Sequence, residues 1–369
     1  MTQRQYSLDF RKEDVAYILS RVSSSTSCSI VGVGSVGKSN LIAHLLSPAV
    51  LAHYLGDEAS RLTRLINVDA NMLAPLGDNT NDAERCWSGY ELLLHRLFMA
   101  FYPFQELDAS EARQFFDAYQ AIQDGRNPLY APLGLRYFEL ALSYYLRRGF
   151  RVTFLLDEFE ESLLRLPAKF FQTLRGLRDT HKSQLSYLTF SRSPLPALAA
   201  RMELNTLALE PFLELFNDHV RYIGPYNLQD AQQMLGSLAA QGSRALSENT
   251  KQALIEATGR FAGLLRAGCG VLESGQISVV DTAEDMAAIL YQRKSIRLEC
   301  ETIWEGLNDS EKVVLLAVAR VLPYSVNNDT EDAVAMLVQK KLLRIDRQGQ
   351  SLSIEPPVFR LHLLHSASR

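Results

Sequence analysis

Short apolar runs recur along the first 224 positions, and each closes on a glycine, a carboxylate or a hydroxyl. Ser27–Val31 runs into glycines, Arg64–Asp69 and Arg151–Glu158 end in acids, Leu185–Arg192 ends in Ser191 and Arg192, and a last run covers 220–223. Runs this short, bounded by turn residues, read as buried strands. The stretches between them carry apolar residues three and four apart, as amphipathic helices do. Strand–helix alternation over 10–224 predicts a parallel sheet covered on both faces. Within it, 78–149 is helical and aromatic, with Trp87, Tyr90, Phe98, Phe101, Tyr102, Phe104, Phe115, Phe116 and Tyr119 at helix-like spacing. That spacing makes most of them core residues, and the loop at Asp124–Pro128 splits the stretch into two helical parts.

Beyond residue 226 the strand-like runs stop. Asn227 and Ser247 have the character of helix caps, each followed by an acid in the first turn, and Gly236, Gly242, Gly259 and Gly275 punctuate an all-helical segment to Arg297. The last seventy residues change pattern again. Asn308-Asp309-Ser310-Glu311 has capping-box spacing ahead of an apolar helix over 313–321, Thr330–Lys341 is a second helix, and Leu342–Asp346 with Ser351–Ile354 flank a hairpin-like turn at Arg347–Gln350. Helix, helix and hairpin in this order predict a winged helix. The expected division is therefore 1–225 for an α/β core, 226–297 for a helical lid and 298–369 for a winged-helix domain.

The chemistry sits at the carboxyl ends of the predicted strands. Gly32-Val33-Gly34-Ser35-Val36-Gly37-Lys38-Ser39 is a complete G-x-x-x-x-G-K-[ST] phosphate loop, placed between a strand and a helix opening at Asn40. Gly32 and Gly37 give the backbone the freedom to turn successive N–H groups toward a phosphate, and the helix adds its positive end. Lys38 would reach the β and γ phosphates, and the Ser39 hydroxyl would ligate Mg²⁺. Asp157, at the end of the third strand, is placed to support that metal, and Glu158 to polarise the attacking water. Glu160 and Glu161 follow so closely that they compete with Glu158 for the role of base. Arg192, at the end of the fourth strand, could read the γ phosphate. Asp69–Asn71 at the end of the second strand could hold Glu158 inactive, although a plain strand-end cap explains them better.

Taken together these motifs resemble the P-loop ATPases of the AAA+ class, most closely the STAND branch and its archaeal and bacterial relatives, with kinship to origin-recognition-type initiators. Gly32–Ser39 corresponds to Walker A, Asp157-Glu158 to Walker B and Thr189–Arg192 to the sensor strand. Phe10-Arg11-Lys12-Glu13 looks like the box that lies against the adenine, and Tyr222–Ala231 looks like the last core strand passing into the lid. Thr258–Leu265 stands at the Gly-x-Pro lid signature, with Phe261 where Pro is expected. The resemblance implies a slow ATPase using ATP or ADP and Mg²⁺, with 32–40 and Arg11 holding nucleotide, Ser39 and Asp157 the metal, and Lys38, Glu158 and Arg192 the catalytic groups. No trans arginine stands out; Arg201 is the best candidate.

Composition narrows the partners. The formal charge is −4, and 300–369 hold 8 Lys or Arg against 9 Asp or Glu, so no broad basic field draws the chain to nucleic acid or to an anionic membrane. The second helix of the last domain opens Thr330-Glu331-Asp332 and reaches Lys340-Lys341 only at its end. A protein partner or self-association is the expected use of that module, with DNA binding through Arg344, Arg347 and Arg360 as the alternative. The four cysteines lack metal-ligand spacing, His362 and His365 belong to a terminal element without further ligands, and the polar amino terminus is unlike a signal peptide. A cytoplasmic setting is the expectation.

Overall fold

The computed structural model describes residues 6–74, 77, 80–123, 130–240, 247–273, 280, 282–320, 322, 327–345 and 351–366. Their contacts separate into two compact units, one made of 12–30 and 42–221, the other of 6–11, 31–41 and 222–366.

The first unit carries the sheet. Strands β1 (Cys28–Val31), β2 (Thr63–Asp69), β3 (Arg151–Asp157), β4 (Leu185–Ser191) and β5 (Val220–Tyr222) form a parallel five-stranded sheet in the order β2-β3-β4-β1-β5. These are the five apolar runs read from the sequence. In register, Asp69 pairs with Asp157 and Leu156 with Thr189, so the polar ends of β2, β3 and β4 fall in one row. Every residue of β4 is buried, as expected of a strand covered on both faces.

Helix α1 (Lys12–Ser23) precedes β1, and α2 (Lys38–Leu45), α3 (Pro48–Leu55), α4 (Asp57–Arg61), α5 (Asp82–Phe101), α6 (Ala109–Gln123), α7 (Tyr130–Leu146), α8 (Phe159–Arg165), α9 (Ala168–Thr180), α10 (Leu195–Arg201) and α11 (Thr206–Leu213) follow in the connections between successive strands. The aromatic stretch is core: Tyr90, Phe98, Phe101, Phe104 and Phe115 are buried in one cluster with Phe138, Tyr145 and Phe154, and Trp87 and Tyr119 pack against it. Tyr102 and Phe116 are exposed instead. The stretch also breaks once more than its spacing predicts, between Phe101 and Ala109. There Asp108 caps α6, its Oδ1 accepting from the N–H groups of Ser110 (2.8 Å) and Glu111 (2.9 Å). Of the loop Asp124–Pro128, all residues lie outside the described ones.

The second unit holds α12 (Leu228–Ala239), α13 (Glu248–Ala257), α14 (Ala262–Glu273), α15 (Ala283–Tyr291), α16 (Lys294–Glu305), α17 (Asp309–Arg320), α18 (Asn328–Gln339), the antiparallel strands β6 (Leu343–Ile345) and β7 (Leu352–Ile354), and α19 (Pro357–Ser366). The caps act as expected, with Asn227 accepting from Asp230 N–H and Ser247 from Thr250 N–H. The capping box is complete, since Glu311 N–H donates to Asn308 (2.8 Å) while the Glu311 carboxylate accepts from Asn308 N–H (2.9 Å).

One expectation fails here. Lys340, read as a terminal cation of the second helix, is buried against Glu311 with Nζ 2.6 and 2.9 Å from its two oxygens. It is structural and cannot meet a phosphate. The hairpin tip, including Arg347, and glycines 242 and 275 lie outside the described residues.

Among the described residues the four cysteines are buried and form no disulfide, no cluster of metal-ligating side chains occurs, and no helix is long and apolar enough to cross a membrane.

Candidate functional site

The phosphate loop leaves β1 directly. Gly37 sits at φ 91° and Ser35 at φ 68°, the two left-handed positions that curl the loop ahead of α2. Gly32 does not share that conformation. It is required for close packing, since a Cβ there would stand 2.6 Å from Ile223 Cγ1. Val33 and Val36 are fully buried and anchor the loop in the core. Lys38 opens α2, is itself buried, and donates from Nζ to the Gly32 carbonyl at 2.7 Å. Ser39 is exposed, and Asn40 donates to the Tyr226 hydroxyl at 2.7 Å.

Arg11, expected beside a base, supports the loop from behind. Its Nη2 donates to the carbonyls of Val36 and Gly224, both at 2.7 Å, and its backbone N–H donates to Asp230. The guanidinium lies over the Tyr226 ring, against which Phe10 packs edge-on. Burying a guanidinium among carbonyls fixes the loop's trace, because each unmade bond would leave a charge-bearing donor unsatisfied.

Two helices of the same unit cover the loop. The first turn of α14 donates to Ser35, from Gly263 N–H to its carbonyl (2.9 Å) and from Leu264 N–H to its hydroxyl (3.1 Å). The chain reaches α14 through Gly259 (φ 56°) and Arg260 (φ 65°), and the Arg260 carbonyl accepts from Tyr226 N–H. Phe261, in the place of the expected Pro, is buried. From the other side, α16 brings the Thr302 carbonyl to 2.6 Å from where a Cβ on Gly34 would stand, and the Glu299 carboxylate crowds Gly263 beside Ser35 Oγ. Sequence reasoning missed Glu299 and Thr302, and it placed Gly263 and Tyr226 in the two lid stretches without their contacts to the loop. Only the small pair Ala262-Gly263 hinted at a close approach.

The other candidate residues cluster at the ends of β3 and β4. Asp157 accepts the N–H of Glu158 at 3.0 Å. Glu158 is left-handed (φ 45°, ψ 52°) and turns the chain sharply into α8. Its carboxylate pairs with Arg192 at 3.4 Å, both side chains about one-third exposed. The residue expected to sense phosphate therefore holds the residue expected to activate water. Glu160 is buried and accepts the backbone N–H of Arg192, while its Oε2 has no partner among the described residues. Of the three carboxylates that compete for the role of base, Glu160 thus fixes the sensor strand's end. Asp69 caps the turn after β2 by accepting from Asn71 N–H, the plainer of its two readings. Arg201 is exposed at the end of α10.

No family model and no curated protein matches this chain. Solved structures do. A Walker-type ATPase of Pyrococcus abyssi matches over 96% of this chain and 95% of its own, with a TM-score of 0.54 at 14% identity. This chain shares the fold of that Walker-type ATPase, a parallel five-stranded sheet among helices followed by a helical region. The ORC2 protein of Aeropyrum pernix, solved as ADPNP–ADP complexes, matches over 97% of this chain and 94% of its own (TM-score 0.47, 14% identity). Cdc6p of Pyrobaculum aerophilum matches over 99% and 96% (TM-score 0.43, 11% identity). At such identities the likeness is one of fold, and what this chain does rests on its own side chains.

Proposed function

We propose that this chain is a Mg²⁺-dependent, slowly hydrolysing ATP switch of the STAND kind that acts on a protein partner. The observation that carries the reading is the covered phosphate loop. A complete loop accepts hydrogen bonds from α14 through the Ser35 carbonyl and hydroxyl and is met at Gly34 by α16, so a change in the loop's trace on binding phosphate is passed to both helices. Binding energy for phosphate then becomes movement of helices, which is what a switch requires.

The donor set suits a metal–nucleotide. Loop N–H groups at a helix start, a buried ammonium bonded to the Gly32 carbonyl at the loop's own start, and an exposed hydroxyl at Ser39 suit a Mg²⁺–triphosphate. When bound, Mg²⁺ neutralises charge on the β and γ phosphates. Lys38 would be the group to hold the phosphates, Ser39 and Asp157 would hold the metal, and Glu158, if released by Arg192, would serve as the base toward the attacking water. Arg192 is then free to pair with the γ phosphate. The domains 1–225, 226–297 and 298–369 act as core, lid and winged helix.

Charge placement supports a protein partner over DNA. In α18, Asp329, Glu331 and Asp332 are exposed while Lys340 is locked inside, and Arg344 is paired with Glu355 at 3.4 Å. Duplex binding needs several free cations on one face. Calorimetric titration with Mg-ATP tests the reading: parent protein binds, and Lys38→Ala binds at least about tenfold more weakly, the loss of one charge-assisted contact. Equal affinity in the two proteins overturns the site. Labelled duplex added to Glu158→Gln with ATP stays unbound, and salt-sensitive binding would replace the protein-partner reading by a DNA-directed one.

A further inference from the structure

A cavity in the unit that carries the phosphate loop has no place in the scheme above. It lies between the middle of α14 and the turn from α15 into α16, has a volume of about 490 Å³, and is lined by Arg266, Ala267, Gly270, Val271, Arg293, Lys294 and Ser295. Three of the seven lining residues are cations and none is an acid. In a chain of net charge −4 this is a local inversion of sign.

We propose that this cleft is an oxyanion site for a compact phosphorylated ligand, distinct from the phosphate loop. First, the cations are not neutralised internally. Neither Arg293 nor Lys294 makes a side-chain hydrogen bond or ion pair with any described residue, and Arg266 has only a 3.5 Å contact with Asn40 Oδ1. Like charges gathered around one concavity repel, and an anion reverses the sign of that interaction. Second, the turn that presents them is built. Arg297 Nη1 donates to the carbonyls of Tyr291 (3.1 Å) and Gln292 (2.7 Å), pinning the end of α15 to the start of α16. Third, α16 starts at Lys294 with no side-chain cap on its first turn, so its leading N–H groups are additional donors facing the region of Ser295. Three cations in one cleft suit a phosphate or pyrophosphate group. They fall short of the six to ten contacts (a rough figure) by which proteins hold duplex DNA.

The site joins the two helices that cover the phosphate loop. Arg266 lies one turn from Gly263 and Leu264 on α14, and Arg293-Lys294 begin the helix that carries Glu299 and Thr302. An anion held by both would tie α14 to α16 and favour the covered arrangement; this consequence, unlike the site itself, rests on the switch reading.

The test is a calorimetric titration of the full chain with inorganic pyrophosphate, in parent, Lys38→Ala and Arg293→Ala/Lys294→Ala proteins. Lys38→Ala keeps one pyrophosphate site. The double variant loses that site by about tenfold or more, as expected for removing charge-assisted contacts, with Mg-ATP affinity in phosphate-free buffer unchanged. Arg266→Ala, on an exposed position, gives a weaker loss in the same direction and guards against misfolding of the double variant. Pyrophosphate binding to Lys38→Ala that ignores both sets of substitutions, or no such binding, overturns the proposal. Tighter binding of a 20-nucleotide single strand than of pyrophosphate, abolished by the double variant, overturns the compact-ligand assignment in favour of a nucleic acid backbone. A parent with no more pyrophosphate sites than Lys38→Ala overturns the phosphate-loop reading and leaves this one standing.

Discussion

Lys38 and Glu158 are each held by a neighbour that the switch reading requires them to leave. The ammonium sits on the Gly32 carbonyl and the carboxylate sits on Arg192. Two outcomes separate their roles. Glu158→Gln retains Mg-ATP affinity within a few-fold but loses phosphate release by about a hundredfold or more in a steady-state assay, the usual scale for removing a general base. Arg192→Ala frees Glu158 and removes a phosphate contact, so single-turnover hydrolysis falls while ADP affinity changes little, because ADP lacks the group it reads. At the same scale, burial pushes the thiols of Cys28 and Cys300 up to about 12 and that of Cys86 to about 11. Thiol and not thiolate is thus the folded form at neutral pH, and a disulfide-exchange reagent at pH 8 labels these three cysteines only after denaturation.

Helices and strands show what local pattern can and cannot reveal. All five sheet strands were legible because each is a short apolar run closed by a glycine or a polar residue, and the phosphate loop was legible because its spacing is local. The caps at Asn227, Ser247 and Asn308 were legible for the same reason. Contacts between distant segments were not. Nothing near Lys340 announces that Glu311, 29 positions earlier, will bury with it, so a helix-end lysine looked solvated. Nothing near Gly34 announces the Thr302 carbonyl. The break between α5 and α6 was hidden because the aromatic spacing continues through it, although Asp108 in hindsight is a cap. Two substitutions act at this scale. Glu311→Ala takes the carboxylate away from a buried ammonium and removes half a capping box, with an expected loss of about 3–5 kcal/mol in denaturant melts. Gly34→Ala places a methyl against backbone that cannot yield cheaply, which destabilises the covered loop by about 1–3 kcal/mol. The thermal midpoint falls, and protection of α16 amides against hydrogen exchange falls with it.

For the molecule as a whole, acid is the more damaging side of neutrality. Burial lowers the pKa of His44 in one unit and of His362 in the other, the latter partly offset by Glu301. A group depressed on folding is neutral in the native state and takes up a proton when the chain unfolds. Its stabilising contribution is whole above the unfolded value of about 6.5 and is lost as pH falls below it. Urea midpoints should be level from pH 7 to 8 and decline between 6.5 and 5, and His44→Gln together with His362→Gln should flatten that decline.

The contacts on Ser35 and Gly34 also govern time. On the switch reading, nucleotide is captured only after α14 and α16 release the loop, so capture waits for an uncovering step whose frequency the ligand does not set. In stopped-flow mixing, the observed rate should therefore climb with ATP concentration and then level off. The plateau should rise in Gly34→Ala, where α16 sits less securely, and should not move in Glu158→Gln.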